Sequence, residues 1–271
     1  MAPSIALERT PALQIVQGDA SVELKKLPAE SVHMVVTSPP YDDLRTYGGL
    51  AWDFERIALE LFRVMAQGGV IAWVVGDQTE DGSETVTTCR QKIFFRECGF
   101  RIHDTMIYQK TNFSNPERVR YHQVFEYVFI LSKGSPRVFN PIKDKPNAYA
   151  GKPGSFGRNT VRQADGSFET RPRKINTEFG MRGNVWLGKT AGQEGKICNG
   201  SVHPAVMPSW LTRDLILSWS NPGDVVLDPF AGSFTTCRAA LSLGRNTIGI
   251  EINPAYVELG RNRCAEEKTN D

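Results

Sequence analysis

The sequence predicts an α/β fold with a seven-stranded, mostly parallel sheet and one inserted region. Seven short apolar runs, at 13–17, 32–38, 70–77, 101–110, 123–132, 225–230 and 247–252, read as strands. Helical periodicities lie between several of them, and strands that alternate with helices pair in parallel. The pattern then breaks. From about 139 to 200 the chain is rich in Gly, Asn, Arg and Lys and holds no sustained period, which marks an insertion.

Each element has a local reason. Strand 13–17 runs into the turn QGDA, which leaves Asp19 and Ala20 beyond its end. Residues 32–37 form a core strand, followed by Ser38, Pro39, Pro40 and Tyr41. Phe54, Ile57, Ala58, Leu61 and Met65 recur at helical spacing, and the QGG at 67–69 ends that helix. A second helix covers 86–98, with Gly99 as its stop. No helix clearly separates strands 101–110 and 123–132, so these two are compatible with an antiparallel pair. Trp210, Leu211, Asp214, Leu215 and Trp219 mark a helix before the turn NPGD. Residues 225–227 are apolar enough for a buried strand, with Asp228 at its end, and Gly232 and Ser233 open the next helix. Strand 247–252 delivers Glu251, after which Asn253 caps a helix that has Pro254 at its first position.

The bulk properties narrow the function class. A chain of 271 residues with 40% hydrophobic content can bury a sizeable core. Five cysteines, odd in number and without CxxC spacing, argue against a disulfide framework and a zinc site, so no metal is expected. No leader pattern or long apolar run is visible, so a cytoplasmic protein without a membrane partner is expected. The net charge of +2 neither demands nor excludes a polyanion. Local charge is more telling. Residues 151–190 hold eight basic residues against three acids, interleaved with Phe156, Phe168, Phe179 and Trp186. Phosphate contact is one reading and a solvated loop is the other.

Two strand ends carry acids in a ligand-binding context. In open parallel sheets, ligands bind beyond the carboxyl ends of strands. Asp228, Pro229, Phe230, Ala231, Gly232 and Ser233 form a glycine-containing strand–helix turn whose backbone can approach a ligand closely. Glu251, followed by Ile252, ends the next strand about 20 residues on, where an acid can accept hydrogen bonds from ribose hydroxyls. No GxxxxGK[ST] run exists, so an adenosine-containing cofactor is favoured over a nucleoside triphosphate.

With TSPPY at 37–41 and DPFAGSFTT at 228–236, the chain resembles the amino-group DNA methyltransferases that use S-adenosylmethionine. HPAVMPSWLTRDLILSWSNPGD, IYQKTNFSNP and QVFEYVFILSKG extend the resemblance over nearly the whole chain. The catalytic corner comes first, the basic insertion second and the cofactor corner last, which is the order of the beta group. The resemblance implies a Rossmann-like methyltransferase fold divided into a catalytic part at 1–140, a target-recognition insertion at 141–200 and a cofactor part at 201–271. It further implies double-stranded DNA as partner, a setting in bacterial, archaeal or phage restriction-modification, and room for a homodimer. Asp19 resembles the family acid near the cofactor adenine, although a simple turn residue reads equally well. His203 is a structural residue or a wall of the cofactor pocket. Lys110, Asn112 and Arg118, with Arg171, Arg173 and Lys174 of the insertion, are the candidate DNA contacts, with ordinary surface charge as the rival reading. The family usually has glycine where this chain has Phe234. Phenylalanine is comfortable only at negative φ, so an ordinary helix entry is expected there.

SPPY alone reads as a rigid turn. In this context it has a chemical use. Pro39 and Pro40 remove two N–H donors and leave neighbouring carbonyls outward. An exocyclic amine on a base is a poor nucleophile, because its lone pair is delocalised into the ring. Hydrogen bonds accepted by Ser38 Oγ and the Pro39 carbonyl would localise that pair. Tyr41 offers a face for the flipped base, worth about 1–3 kcal/mol, against a flipping cost of a few kcal/mol. Serine in this corner resembles the cytosine-N4 enzymes, whereas aspartate or asparagine resembles the adenine-N6 enzymes. Cytosine N4 is the first reading and adenine N6 the alternative. A carbon-5 enzyme lacks its Pro-Cys pair here. A protein glutamine methyltransferase has the opposite motif order. A non-catalytic DNA-binding module would not need Asp228, Gly232 and Glu251 in register.

Overall fold

The fold is seen in a computed structural model that describes residues 11–40, 52–112, 118–153, 160–170, 175–192 and 206–268. The chain forms two compact units, Met1–Asn140 with Asn184–Asp271, and Pro141–Gly183. The first contains one sheet of β1 (Leu13–Gln17), β2 (Val32–Thr37), β3 (Met65–Val75), β4 (Arg101–Lys110), β5 (Phe125–Ser132), β6 (Val185–Gly188), β7 (Val225–Asp228) and β8 (Asn246–Glu251). Their order is β1-β8-β7-β2-β3-β5-β4-β6. The run from β1 to β3 is parallel throughout. As expected, β4 and β5 are antiparallel, and β5 is antiparallel to β3 as well.

Two sequence expectations need correction. The sheet has eight strands, not seven. The extra one, β6, pairs in parallel with β4, its Gly188 opposite Lys110, from inside the expected insertion. Four residues at an edge show too little alternation to be read. The QGG at 67–69 does not stop a helix. The helix ends at Val64 and β3 begins at Met65. Val32 pairs with Met65 but Met34 with Val70, so the glycines sit in an irregularity of the strand. Gly68 has φ +76, and its N–H donates to the Lys133 carbonyl (2.7 Å). Positive φ serves a helix end and a strand bulge equally, so the two look alike in sequence.

Helices α1 (Ala20–Glu23), α2 (Phe54–Val64) and α3 (Thr87–Glu97) pack as one group, and α4 (Ser209–Trp219), α5 (Thr235–Ser242) and α6 (Pro254–Lys268) as another. Asp53 caps α2 by accepting from the Arg56 N–H (3.1 Å). The helix buries Ile57, Ala58, Leu61 and Val64. These join Ile71, Trp73 and Val75 of β3 and Phe95 of α3 in the larger core. Alternation along β3 sends Val70, Ala72 and Val74 to the opposite face. Both faces of β3 are therefore apolar, as a central strand of a covered sheet must be. Truncating Leu61 there costs about 2–5 kcal/mol.

The strand order creates the site. The chain leaves β2 toward β3 and leaves β7 toward β8, on opposite sides, although β2 and β7 are neighbours. A crevice opens beyond the carboxyl ends at such a switch point. Among the described residues, no helix is long and apolar enough to cross a membrane.

In the second unit, Lys145–Pro146 pairs with Phe179–Gly180, and Thr160–Arg162 forms a hairpin with Phe168–Thr170. Asp165 accepts from the Ser167 N–H (2.9 Å) in the hairpin turn. An Arg182–Asp144 ion pair ties the ends of the unit.

Candidate active site

Sheet register gathers the strand-end residues. Gln17 of β1 pairs with Glu251, Asp228 with Gly249, and Leu227 with Val35. One cavity results. Ser38 and Pro40 line one side, and Asp228, Pro229, Phe230, Ala231, Gly232 and Ser233 another. Asp19 and Ala20 after β1, and Glu251 and Ile252 after β8, complete the residues named from sequence. Pro39 is buried beside them. Tyr41 and His203 lie outside the described residues.

Asp228 is 4% exposed. Its Oδ1 accepts from Thr37 Oγ1 (2.7 Å) and from the Phe230 N–H (3.1 Å). Burial pushes its carboxyl up to about 6, and the Thr37 and Thr236 hydroxyls and the Phe230 N–H oppose that rise. Glu251 accepts the Gly232 N–H at Oε2 and the Asn253 N–H at Oε1, both at 2.8 Å. Burial raises its pKa as well, against those backbone donors. A carboxylate offers about four lone-pair sites, and with the Ile252 N–H also acting on it, Glu251 keeps acceptor capacity for a further hydroxyl. Asp19 is open to two readings in sequence, a turn residue or an acid near a cofactor. It caps α1 by accepting from the Ser21 N–H (2.7 Å), and it lines the cavity.

Further lining residues were not named from sequence: Gly18, Trp52, Ile57, Met207 and Tyr256, with Thr235, Thr236 and Ile250. Trp52 meets Phe230 edge-on at 5.1 Å, giving the cavity an aromatic wall. The methionines and most tryptophans read as core in the sequence, and nothing local separates a core ring from a wall. Gly18 adjoins Asp19 in QGDA and could have been found from that turn. This donor set fits S-adenosylmethionine. A purine can lie on the aromatic wall, a ribose diol can meet Glu251, and a cationic tail can meet the acid at Asp228.

Phe234 corrects the sequence expectation of ordinary helix entry. Its φ is +60 and its ψ +29, the left-handed region. That conformation costs about 1–2 kcal/mol for a residue with a Cβ. The ring is wholly buried, a gain of about 1.5–3 kcal/mol that can offset the cost.

The candidate DNA contacts divide. Asn112 and Arg118 are exposed. Lys110 Nζ is 2.6 Å from Glu126 in a half-buried ion pair. Arg171, Arg173 and Lys174 lie outside the described residues. No group of His, Cys, Asp and Glu able to hold a metal occurs among the described residues.

Known proteins share this architecture. A family model described as DNA methylase, covering N6 and N4 methyltransferases, matches residues 32–262. The orphan methyltransferase M.BamHII of Bacillus amyloliquefaciens is 46% identical over 237 residues, 86% of this chain and 88% of that one. The DNA adenine methyltransferase YhdJ of Escherichia coli K12 is 31% identical over 264 residues, 93% of this chain and 82% of that one. TTHA0409 of Thermus thermophilus, crystallised with S-adenosyl-L-methionine, superposes with a TM-score of 0.61 at 26% identity, covering 94% of this chain and 95% of that one. The cytosine-N4-specific PvuII DNA methyltransferase shares the fold, with a TM-score of 0.65 at 20% identity over 94% and 89% of the two chains. A strand-end crevice suited to S-adenosylmethionine, in a chain matched by the family model over most of its length, makes this protein a member of the N6/N4 DNA methylase family and an S-adenosylmethionine-dependent DNA methyltransferase.

Proposed function

We propose that the protein methylates the exocyclic N4 amino group of cytosine, flipped out of a specific site in duplex DNA. One observation carries the reading: Ser38 and Pro40 line the same cavity as Asp228 and Glu251. An amine held by Ser38 Oγ and the Pro39 carbonyl would therefore face the methyl donor. S-adenosylmethionine, when bound, supplies an electrophilic methyl on a sulfonium. The chain's own work is alignment and the acceptance of two N–H bonds. The methylated ammonium is acidic and sheds its proton to solvent. Tyr41 would stack the extruded base. The cofactor would be held by Asp19, Ala20, His203, residues 228–233, Glu251 and Ile252.

Target choice is assigned to the 141–200 region, with Arg171, Arg173 and Lys174 on phosphates, and Lys110, Asn112 and Arg118 are further candidate DNA contacts. Charge reversal at Arg171 or Arg173 should weaken DNA binding and flatten its salt dependence.

Adenine N6 is the second reading, favoured by the likeness to a DNA adenine methyltransferase. Both amines present two N–H bonds, and serine at 38 supports cytosine. Nucleoside analysis of DNA methylated by the pure protein decides it. N4-methyldeoxycytidine supports the proposal, and N6-methyldeoxyadenosine alone overturns it.

A further inference from the structure

We propose that Phe234 is a positioning residue for the cofactor loop, holding it in shape by packing where a glycine would only permit that shape. Three observations converge on it. First, residue 234 is left-handed without being glycine, with its N–H donating to the Ala231 carbonyl (2.6 Å) and its carbonyl accepting from the Arg238 N–H (3.0 Å). Second, its ring fills a slot that exists only because two other residues lack side chains. A Cβ at Gly249 would stand 2.7 Å from Phe234 Cε1, and one at Gly260 would stand 2.3 Å from Cδ2. Third, α6 grips the same loop again, because Arg263 Nη1 donates to the Ser233 carbonyl (2.7 Å).

These ties bracket the cavity-lining backbone. Gly249 is two residues before Glu251, and Gly260 and Arg263 are on α6. The ring therefore registers the loop against both β8 and α6. Gly232 meanwhile donates to Glu251, and Ala231 N–H donates to the Ile250 carbonyl (2.9 Å). A glycine at 234 would reach the same φ but also many others. With the ring seated, the loop needs no ordering when the cofactor arrives, and preorganisation of this kind appears as affinity. The inference rests on the cofactor loop and not on which base is methylated, so its test is run without DNA.

The test is calorimetric titration of the full chain with S-adenosylmethionine and S-adenosylhomocysteine, beside urea unfolding. Phe234→Gly should raise both dissociation constants about tenfold or more. Gly260→Ala should do the same, because its methyl collides with the ring. The double variant should bind no more weakly than Phe234→Gly alone, since the collision is gone. If Phe234→Gly does not fold, Phe234→Ala replaces it, since it also removes the ring atoms that a Gly260 methyl would meet, and the same loss and non-additivity are expected. Wild-type cofactor affinity in folded Gly260→Ala, or losses that simply add in the double variant, would overturn the proposal. So would variants that lose stability while the folded fraction binds normally.

Discussion

Thr37 Oγ1 donates a 2.7 Å hydrogen bond to Asp228 Oδ1 in the protein interior. Thr37 immediately precedes the SPPY corner, and Asp228 opens the cofactor loop. This buried bond joins the two halves of the site, beside the β2–β7 pairing and the Thr236 Oγ1 hydroxyl that donates to the Val36 carbonyl (3.2 Å). Thr37→Val keeps the shape and deletes the donor. A bond to a charged acceptor is worth about 1.5–3 kcal/mol of stability, and an Asp228 released from it should also hold the cofactor less tightly. Thr37→Ser should restore most of it. Calorimetry on both variants checks this, and normal binding by Thr37→Val would show that the bond is not needed.

The raised pKa of Asp228, about 6, gives a pH signature. Between its ordinary value of 3.8 and about 6, the folded protein holds a proton that the unfolded chain releases. Its contribution to stability therefore falls as pH rises through that window and is level above it. A cationic cofactor prefers the ionised acid, so its affinity should rise as pH climbs through about 6. Urea midpoints and calorimetry from pH 4.5 to 7.5, about 1.5 units either side of that value, should show both trends. Asp228→Asn should flatten both, and an equally steep profile in that variant would point to another group, with Glu251 the nearest candidate.

Ser38→Ala tests the proposed division of labour at the other strand end. If Ser38 accepts from the base amine chiefly in the transition state, turnover should drop about a hundredfold while DNA affinity changes little. Single-turnover methylation beside a DNA-binding isotherm separates the two. A loss confined to binding would reassign Ser38 to recognition.

Lys110 and Arg118 should part company. Lys110→Met leaves the half-buried Glu126 carboxylate without this ion pair and should cost about 1–2 kcal/mol of stability. Arg118→Glu is an exposed change, and it should leave stability alone while weakening DNA binding and reducing its salt slope. Urea unfolding and salt-dependent binding measure the two effects, and swapped outcomes would reverse the assignment.

The parts of the site that were legible in the sequence are those fixed by strand direction. Asp228, Glu251 and Ser38 end parallel strands, and parallel strands send such residues to one edge of the sheet whatever the loops do. The antiparallel pair β4 and β5 was legible because no helical periodicity clearly separates the two runs in the sequence. The missing parts depend on distant partners. The conformation of Phe234 is explained by Gly249 and Gly260, and no local rule links a phenylalanine to glycines on a later strand and helix. Trp52 looks like any core tryptophan until Phe230 stands beside it. Strand β6 exists because β4 offers an open edge, and its four residues alone have no pattern to declare.

The meeting of β2 and β7 also has a consequence for synthesis of the protein. Thr37 and Asp228 are 191 residues apart in sequence, so the bond between them closes a very long loop. Contacts of this separation form late, after the entropy of closure has been met by other structure. While the ribosome has not yet released β7, the SPPY corner has no cofactor strand beside it, and the β2 edge that β7 will cover is open. A nascent chain at that stage can neither bind nor spend a methyl donor, and its bare central strand is the place where a chaperone, or another unfinished chain, would take hold.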